Sequence, residues 1–140
     1  MLPALLPPLF WLWASLFSSV HAQVVIMHYE TTQWTISRDS LRAIFSMRLQ
    51  NLEPRIPLTV FVLHSGHPVH DEFSKNVLGV FPYQLQRSWD RGVFSGTGRA
   101  PIVVRSEEEM LQRVAQTPGA IGYVSSVNEY AGIRVVELLP

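Results

Sequence analysis

The chain has 140 residues, with 11 basic and 11 acidic side chains and no formal net charge at pH 7. This length fits one domain, and the charge balance argues against binding to nucleic acids or anionic membranes, which require a basic excess. Because the chain contains no cysteine, disulfides, thiolate metal sites, cysteine nucleophiles and a lipid-modified N-terminal cysteine are excluded.

The N-terminal segment 1–22 predicts a secretory signal peptide. It is apolar and carries no charged side chain, and small residues occupy the third and first positions before a cut after Ala22. An uncleaved membrane anchor is the alternative, but Pro7 and Pro8 interrupt a run that is already short for a span of ~20 residues. We therefore expect an exported, periplasmic protein whose mature domain is 23–140.

The first half of this domain predicts strands separated by one helix. The β-branched, apolar run VVIMHY at 24–29 is typical of a strand. Ser37 is a good N-cap for the next segment, where apolar residues recur at helical spacing as far as Leu49. After a proline-broken loop at 51–57, the almost wholly apolar LTVFVL at 58–63 indicates a strand that is buried on both faces.

The second half alternates helices and strands. Pro68 and Gly79 bracket a predicted helix, because proline suits a first helical turn and glycine commonly ends a helix. Ser106 and Glu109 form a capping box at the start of the clearest helix. The remaining predicted elements are a helix at 82–94 and strands at 101–104, 120–124 and 133–138. This alternation predicts one α/β domain, a three-layer α/β/α sandwich with a mostly parallel sheet of about five strands.

Four segments, taken in order, resemble the phosphate-binding proteins of ABC transporters. They are LRAIFSMRLQ, VLHSGHPVHDEF, RSWDRGVFSGTGRAP and TPGAIGYV, and the resemblance covers roughly 24–130. Members of that family are type 2 periplasmic binding proteins, in which two α/β lobes close on an oxyanion. The resemblance implies a single lobe, corresponding to the family's second, and a solute-binding function with phosphate or a related oxyanion as the ligand.

The segment HSGHPVHDEF departs from the family's ligand-binding loop. Transporter members carry an Arg just after the strand and a Gly-Ser run entering the helix. Small relatives keep a Gly-Ser with an Arg three residues on, and here those positions read Gly66, His67 and His70. The resemblance therefore transfers the fold to this chain more completely than it transfers the phosphate ligands.

The start of the predicted helix at Pro68 is the candidate ligand-binding site. Free N–H groups and the helix dipole favour an anion there. We expect Ser65, Gly66 and His67 to offer backbone N–H groups, and His67 and His70 to donate from their rings. Because a bound oxyanion favours imidazolium, binding is predicted to strengthen below ~pH 7. The alternative is a capped helix start without a ligand, in a non-catalytic envelope interaction module that kept the fold.

A metal site is the third hypothesis for the same segment. His64, His67 and His70 are weak candidate ligands for Zn, Cu or Ni, with Asp71 or Glu72 to complete the set.

Catalysis and a resident cofactor are not expected. The sequence has no nucleophile elbow, zincin helix or dinucleotide fingerprint. Because one lobe cannot enclose a ligand on all sides, tight binding requires a second copy or a membrane or envelope protein that closes the cleft.

Overall fold

The described elements follow the predicted alternation of strands and helices. The computed structural model describes residues 3–4, 23–32, 35–53 and 56–140. The predicted signal peptide, apart from residues 3 and 4, lies outside them. In chain order the elements are β1 (Val24–His28), β2 (Thr35–Ser37), α1 (Arg38–Phe45), β3 (Asn51–Glu53), β4 (Ile56–Pro57), β5 (Thr59–Leu63), α2 (Pro68–Glu72) continued by a π-helical segment (Phe73–Leu78), α3 (Pro82–Ser95), β6 (Ile102–Val104), α4 (Glu107–Gln116), β7 (Ala120–Val124), β8 (Ile133–Val135) and β9 (Glu137–Leu139). Within these ranges, no helix has the length and apolar character needed to cross a membrane.

The central sheet has five strands in the order β6-β5-β7-β1-β8. β5 pairs in parallel with both β6 and β7. β1 is antiparallel to β7 and to β8, so β8 has the same direction as β7. The sheet is therefore mostly parallel, as predicted, and β5, β6 and β7 all end at the same edge. We call this the carboxyl edge of the sheet.

Helices cover both faces of the sheet, and neighbouring residues of β7 show why. Gly122 faces α4, and a Cβ atom at this position would lie 2.5 Å from Sδ of Met110. The next side chain, Tyr123, points to the opposite face, where its ring stacks on Phe73 with centroids 3.9 Å apart. Successive side chains of a strand point to opposite faces, so the pair places α4 on one side and the π-helical continuation of α2 on the other. The predicted three-layer α/β/α sandwich is confirmed.

The layer opposite α4 is joined by hydrogen bonds from side chains to helix ends. Arg42 of α1 donates from Nε to the carbonyl oxygen of Leu78 at 2.7 Å. Trp89 of α3 donates from Nε1 to the carbonyl oxygen of Phe45, also at 2.7 Å, in a buried contact. These bonds satisfy carbonyl groups that a helix end leaves without an intrahelical partner. They also fix α3 relative to α1 and the π-helical segment.

Two predicted boundaries in the first half were wrong. α1 ends at Phe45 rather than at Leu49, because Met47 adopts a left-handed conformation with φ of 64°. Ser46, its C-cap, donates from Oγ to the carbonyl oxygen of Arg42 at 2.6 Å. The predicted loop at 51–57 contains the short antiparallel pair β3 and β4.

The predicted last strand at 133–138 is divided into β8 and β9. β9 leaves the central sheet and pairs in parallel with β2, an element that the sequence pattern did not predict. Val136, between the two strands, is buried and donates its N–H to the carbonyl oxygen of Val25 at 2.9 Å.

Candidate anion-binding site

The loop that joins β5 to α2 is a tight turn held by its own hydrogen bonds. The N–H of His64 donates to the carbonyl oxygen of Val104 on β6 at 3.0 Å, and the N–H of His67 donates to the carbonyl oxygen of His64 at 3.1 Å. Gly66 has φ of 92°, a conformation that glycine tolerates and other residues rarely adopt. His67 is the N-cap of α2, and its Nδ1 accepts from the N–H of Val69 at 3.1 Å. The loop therefore has a defined shape at the carboxyl edge.

Two backbone donors of this loop remain open. Ser65 and Gly66 are exposed, and their N–H groups have no acceptor among the residues that the structure describes. The expectation that His67 would offer its N–H as well was wrong, because the carbonyl oxygen of His64 already accepts from it. His67 can contribute its ring instead. Since Nδ1 accepts a hydrogen bond, the proton of the neutral ring lies on Nε2, which is left as a donor.

His70 lies on the core side of α2 and not with His67 at the helix start. It is 4% exposed, and its Nδ1 lies 2.5 Å from the hydroxyl oxygen of Tyr123. That hydroxyl accepts from the N–H of Leu63 at 3.0 Å, and Nδ1 of His70 is the one acceptor for its proton among the described residues, so we assign the hydroxyl as the donor to His70. Burial lowers the pKa of His70 and raises that of Tyr123. His70 is therefore a neutral ring that holds α2 to the core through Tyr123. Its predicted place beside His67 at the helix start was wrong.

The histidines do not converge on one point. His64 is exposed, with its Nδ1 3.0 Å from the carbonyl oxygen of Ser65 and its ring centroid 5.4 Å from that of His67. His67 caps the helix, while His70 enters the core. Among the described residues, no group of three or more histidine, aspartate or glutamate side chains could hold a metal ion.

Arg105 is a cation at the same edge that the sequence analysis did not select. It follows β6 directly, and the parallel register of Leu63 with Val104 brings it beside the loop. A groove of about 380 Å³ is lined by His64, Val103 and Arg105. Within the described ranges the guanidinium forms no ion pair. The sequence shows that Arg105 follows a predicted strand, but only the pairing of β5 with β6 shows that it lies near the loop after β5.

The two acidic residues of α2 each interact with another side chain. Asp71 forms an ion pair with Lys75, with Oδ2 3.6 Å from Nζ. Glu72 accepts from Nε2 of Gln23 at 2.7 Å. The negative charge close to the loop is thus partly offset, which lessens its repulsion of an anion.

Comparison with known proteins identifies the fold. No protein-family model and no curated protein matches the sequence. Among solved structures, an ABC-type phosphate transport receptor from Vibrio cholerae is 12% identical, with a TM-score of 0.63 over 84% of this chain and 46% of that one. PstS from Borrelia burgdorferi is 18% identical, with a TM-score of 0.63 over 84% and 47%. A protein from Clostridium perfringens, assigned as a phosphate ABC transporter substrate-binding protein and solved with bound phosphate, is 15% identical, with a TM-score of 0.67 over 84% and 44%.

These similarities concern the fold, since all three identities are low. The neighbours are a phosphate transport receptor, PstS and a phosphate transporter substrate-binding protein. The chain spans less than half the length of each of them. It has the α/β fold of the PstS-like periplasmic binding proteins, at partial coverage of those proteins.

Proposed function

We propose that the chain is an exported, periplasmic solute-binding domain that binds phosphate or a related oxyanion at the carboxyl edge of its sheet. The observation that carries the proposal is the pair of open N–H groups at Ser65 and Gly66, in a loop whose His64 lines one groove with Arg105, which has no ion-pair partner among the described residues. Backbone N–H groups and guanidinium are the donors that oxyanions bind in proteins. The fold of phosphate transport receptors supports the choice of ligand.

Each group of the site has a separate role in this proposal. Ser65 and Gly66 donate their N–H groups, and the Ser65 hydroxyl is a further donor. His67 donates from Nε2 while its Nδ1 holds the helix start in place. Arg105 supplies the positive charge that the loop itself has lost. His70 acts from the core side by fixing the position of α2.

The predicted rise in affinity under acid does not come from His70. Burial is the largest effect and lowers the pKa of His70; the carboxylate of Asp71 opposes it, and the rings of His67 and His64 add smaller lowering effects. His70 therefore stays neutral near neutral pH and offers no positive charge to a bound anion.

The loop and the groove are open to solvent on one side. Ser65, Gly66 and Arg105 are all exposed, and pockets that bind small ligands tightly bury most of the ligand surface. We propose that a second copy of the chain or an envelope partner protein closes the site.

Isothermal titration of the purified protein with phosphate and with sulfate tests this function. Arg105→Gln is expected to weaken phosphate binding by about tenfold to a hundredfold, because a hydrogen bond to a charged group contributes ~1.5–3 kcal/mol. His67→Asn keeps a capping oxygen and removes the imidazole donor, so it is expected to weaken binding without loss of stability. Arg99→Gln is the matched control, because Arg99 is exposed in the loop before β6 and does not line the groove. Absence of binding by the unaltered protein, or an equal effect of the two arginine substitutions, would refute the proposal.

A non-catalytic interaction module is the second candidate, and the edge strand β6 favours it. β6 ends the sheet, and the side chain of Val103 is 57% exposed there. Exposed strand edges pair readily with other chains. Sedimentation equilibrium separates the two functions: a stable dimer that forms in the absence of phosphate and does not bind it would favour the interaction module.

A further inference from the structure

A larger cavity lies between α3, α2 and the sheet. Its volume is about 930 Å³, within the range of ~300–1,000 Å³ that is typical of small-molecule sites. Its floor is apolar and comes from Val62, Leu63 and Trp89, which are all buried. The exposed rings of Phe81 and Tyr83 border it and are nearly parallel, with centroids 5.8 Å apart and an interplanar angle of 11°. These surfaces suit a flat, apolar body.

The polar group best fixed in the cavity wall is His70. Its Nδ1 is engaged by the hydroxyl of Tyr123 at 2.5 Å, and that hydroxyl is itself held by the N–H of Leu63. The neutral ring therefore carries its proton on Nε2. Because His70 borders the cavity, this arrangement leaves one preoriented donor for a bound molecule.

The charged side chains that line the cavity have a net charge of +1. Lys75 and Asp71 both line the cavity and form an ion pair at 3.6 Å. Arg87 also lines it, with its guanidinium carbon 5.9 Å from the ring centroid of Tyr83, and it has no carboxylate partner among the described residues. Two cations against one carboxylate give a net charge of +1. A monoanion matches that balance.

We propose that this cavity binds a small aromatic carboxylate. The carboxylate accepts from the guanidinium of Arg87, the aromatic body lies against Tyr83 and the apolar floor, and Nε2 of His70 donates to a second polar group of the ligand. This proposal does not rest on phosphate binding at the loop between β5 and α2. Ser65 of that loop also borders this cavity, but the cation is a different one and the ligand has an apolar body.

The probe is 4-hydroxybenzoate, titrated into the purified protein and followed by heat and by amide chemical shifts. Benzoate lacks the second polar group and phenol lacks the carboxylate, so both are expected to bind more weakly than 4-hydroxybenzoate. Arg87→Gln is expected to weaken binding of 4-hydroxybenzoate about tenfold and to leave binding of phenol unchanged. Arg91→Gln is the control, because Arg91 is exposed one turn further along α3 and does not line the cavity.

His70→Asn tests the donor separately, because asparagine can still accept from Tyr123 but lacks the Nε2–H group. It is expected to remove the preference for 4-hydroxybenzoate over benzoate. The proposal is overturned if 4-hydroxybenzoate does not bind saturably, or if Arg87→Gln and Arg91→Gln behave alike. It is also overturned if phosphate displaces the probe and Arg105→Gln abolishes both bindings, because the probe would then occupy the loop. A protein that binds 4-hydroxybenzoate but no phosphate supports this inference and refutes only the proposed function.

Discussion

Tyr123→Phe is the substitution that best tests how the core holds α2 in place. It removes one hydroxyl, which accepts from the N–H of Leu63 at 3.0 Å and lies 2.5 Å from Nδ1 of His70. The ring itself is retained. Its contacts with Phe73, at 3.9 Å between centroids, and with Phe45, at 5.7 Å, are preserved. The effect is therefore expected to come from hydrogen bonding and not from a cavity.

The expected cost follows from the two polar groups left behind. A buried donor or acceptor that loses its partner costs about 1–3 kcal/mol. Leu63 and His70 are both buried, and neither group has another partner in the described part of the chain. We expect the free energy of unfolding to fall by about 2–6 kcal/mol. That is a large share of the ~5–15 kcal/mol that stabilises a typical domain.

Urea denaturation followed by circular dichroism measures this loss. Tyr83→Phe is the matched control, because the Tyr83 ring is 59% exposed and its hydroxyl is open to water. Adding His70→Leu to Tyr123→Phe removes one of the two orphaned groups, so the double variant should lose less than the sum of the single losses. A loss below about 0.5 kcal/mol for Tyr123→Phe would refute the reasoning, since it would mean that the hydroxyl satisfies no buried group.

Three further predictions concern stability. Burial lowers the pKa of His70, so the unfolded chain binds a proton at low pH that the folded protein does not. The free energy of unfolding should therefore fall as the pH drops below the ordinary histidine value of ~6.5. Urea denaturation at pH 7 and at pH 5 measures this fall, which should be smaller for His70→Asn. Gly122→Ala places a Cβ atom 2.5 Å from Sδ of Met110, and thermal melting should reveal a loss of ~1–3 kcal/mol from overpacking. Ser106→Ala removes the oxygen that accepts from the N–H of Glu109 at 3.0 Å and should cost ~0.5–2 kcal/mol in urea denaturation.

Helix starts were the most predictable features because capping depends on nearby residues. Ser37 accepts from the N–H of Ser40 at 3.1 Å, as its N-cap assignment predicted. Ser106 caps α4 in the same way, although the carboxylate of Glu109 accepts from the N–H of Arg105 and so completes only part of the expected capping box. The helix that begins at Pro68 ends at Gly79, whose φ of 70° is the left-handed conformation that glycine tolerates. In each case the decisive atoms lie within a few residues.

The short strands could not be predicted, because their pairing connects distant parts of the chain. β2 and β9 have three residues each, too few to show a period of two. Ile36 pairs with Leu138, close to the other end of the chain. The strand interpretation of 133–138 correctly identified extended backbone, but the exchange between sheets at Val136 depends on a hydrogen bond to β1.

The histidines of the candidate site also differ in whether nearby or distant residues determine their environment. His67 directly precedes Pro68, and a residue in that place is positioned to cap the helix, so its role had a local signal. The environment of His70 depends on Tyr123, which is 53 residues away in sequence. Its spacing from His67 carried no information about burial, and placing it with His67 at the helix start gave the wrong location for His70.

In the proposed site, Arg105 supplies the positive charge that, in the proteins this sequence resembles, comes from an arginine in the loop after the strand. Neighbouring strands of a sheet lie ~4.8 Å apart, so a cation at the end of one strand can serve an anion at the end of the next. β5 and β6 are parallel, and Leu63 pairs with Val104. Arg105 therefore reaches the carboxyl edge beside the loop after β5. In the proposed site, an arginine at one strand end therefore takes the place of an arginine at the adjacent strand end, and this assignment depends on the order and register of the strands, which the sequence alone does not give.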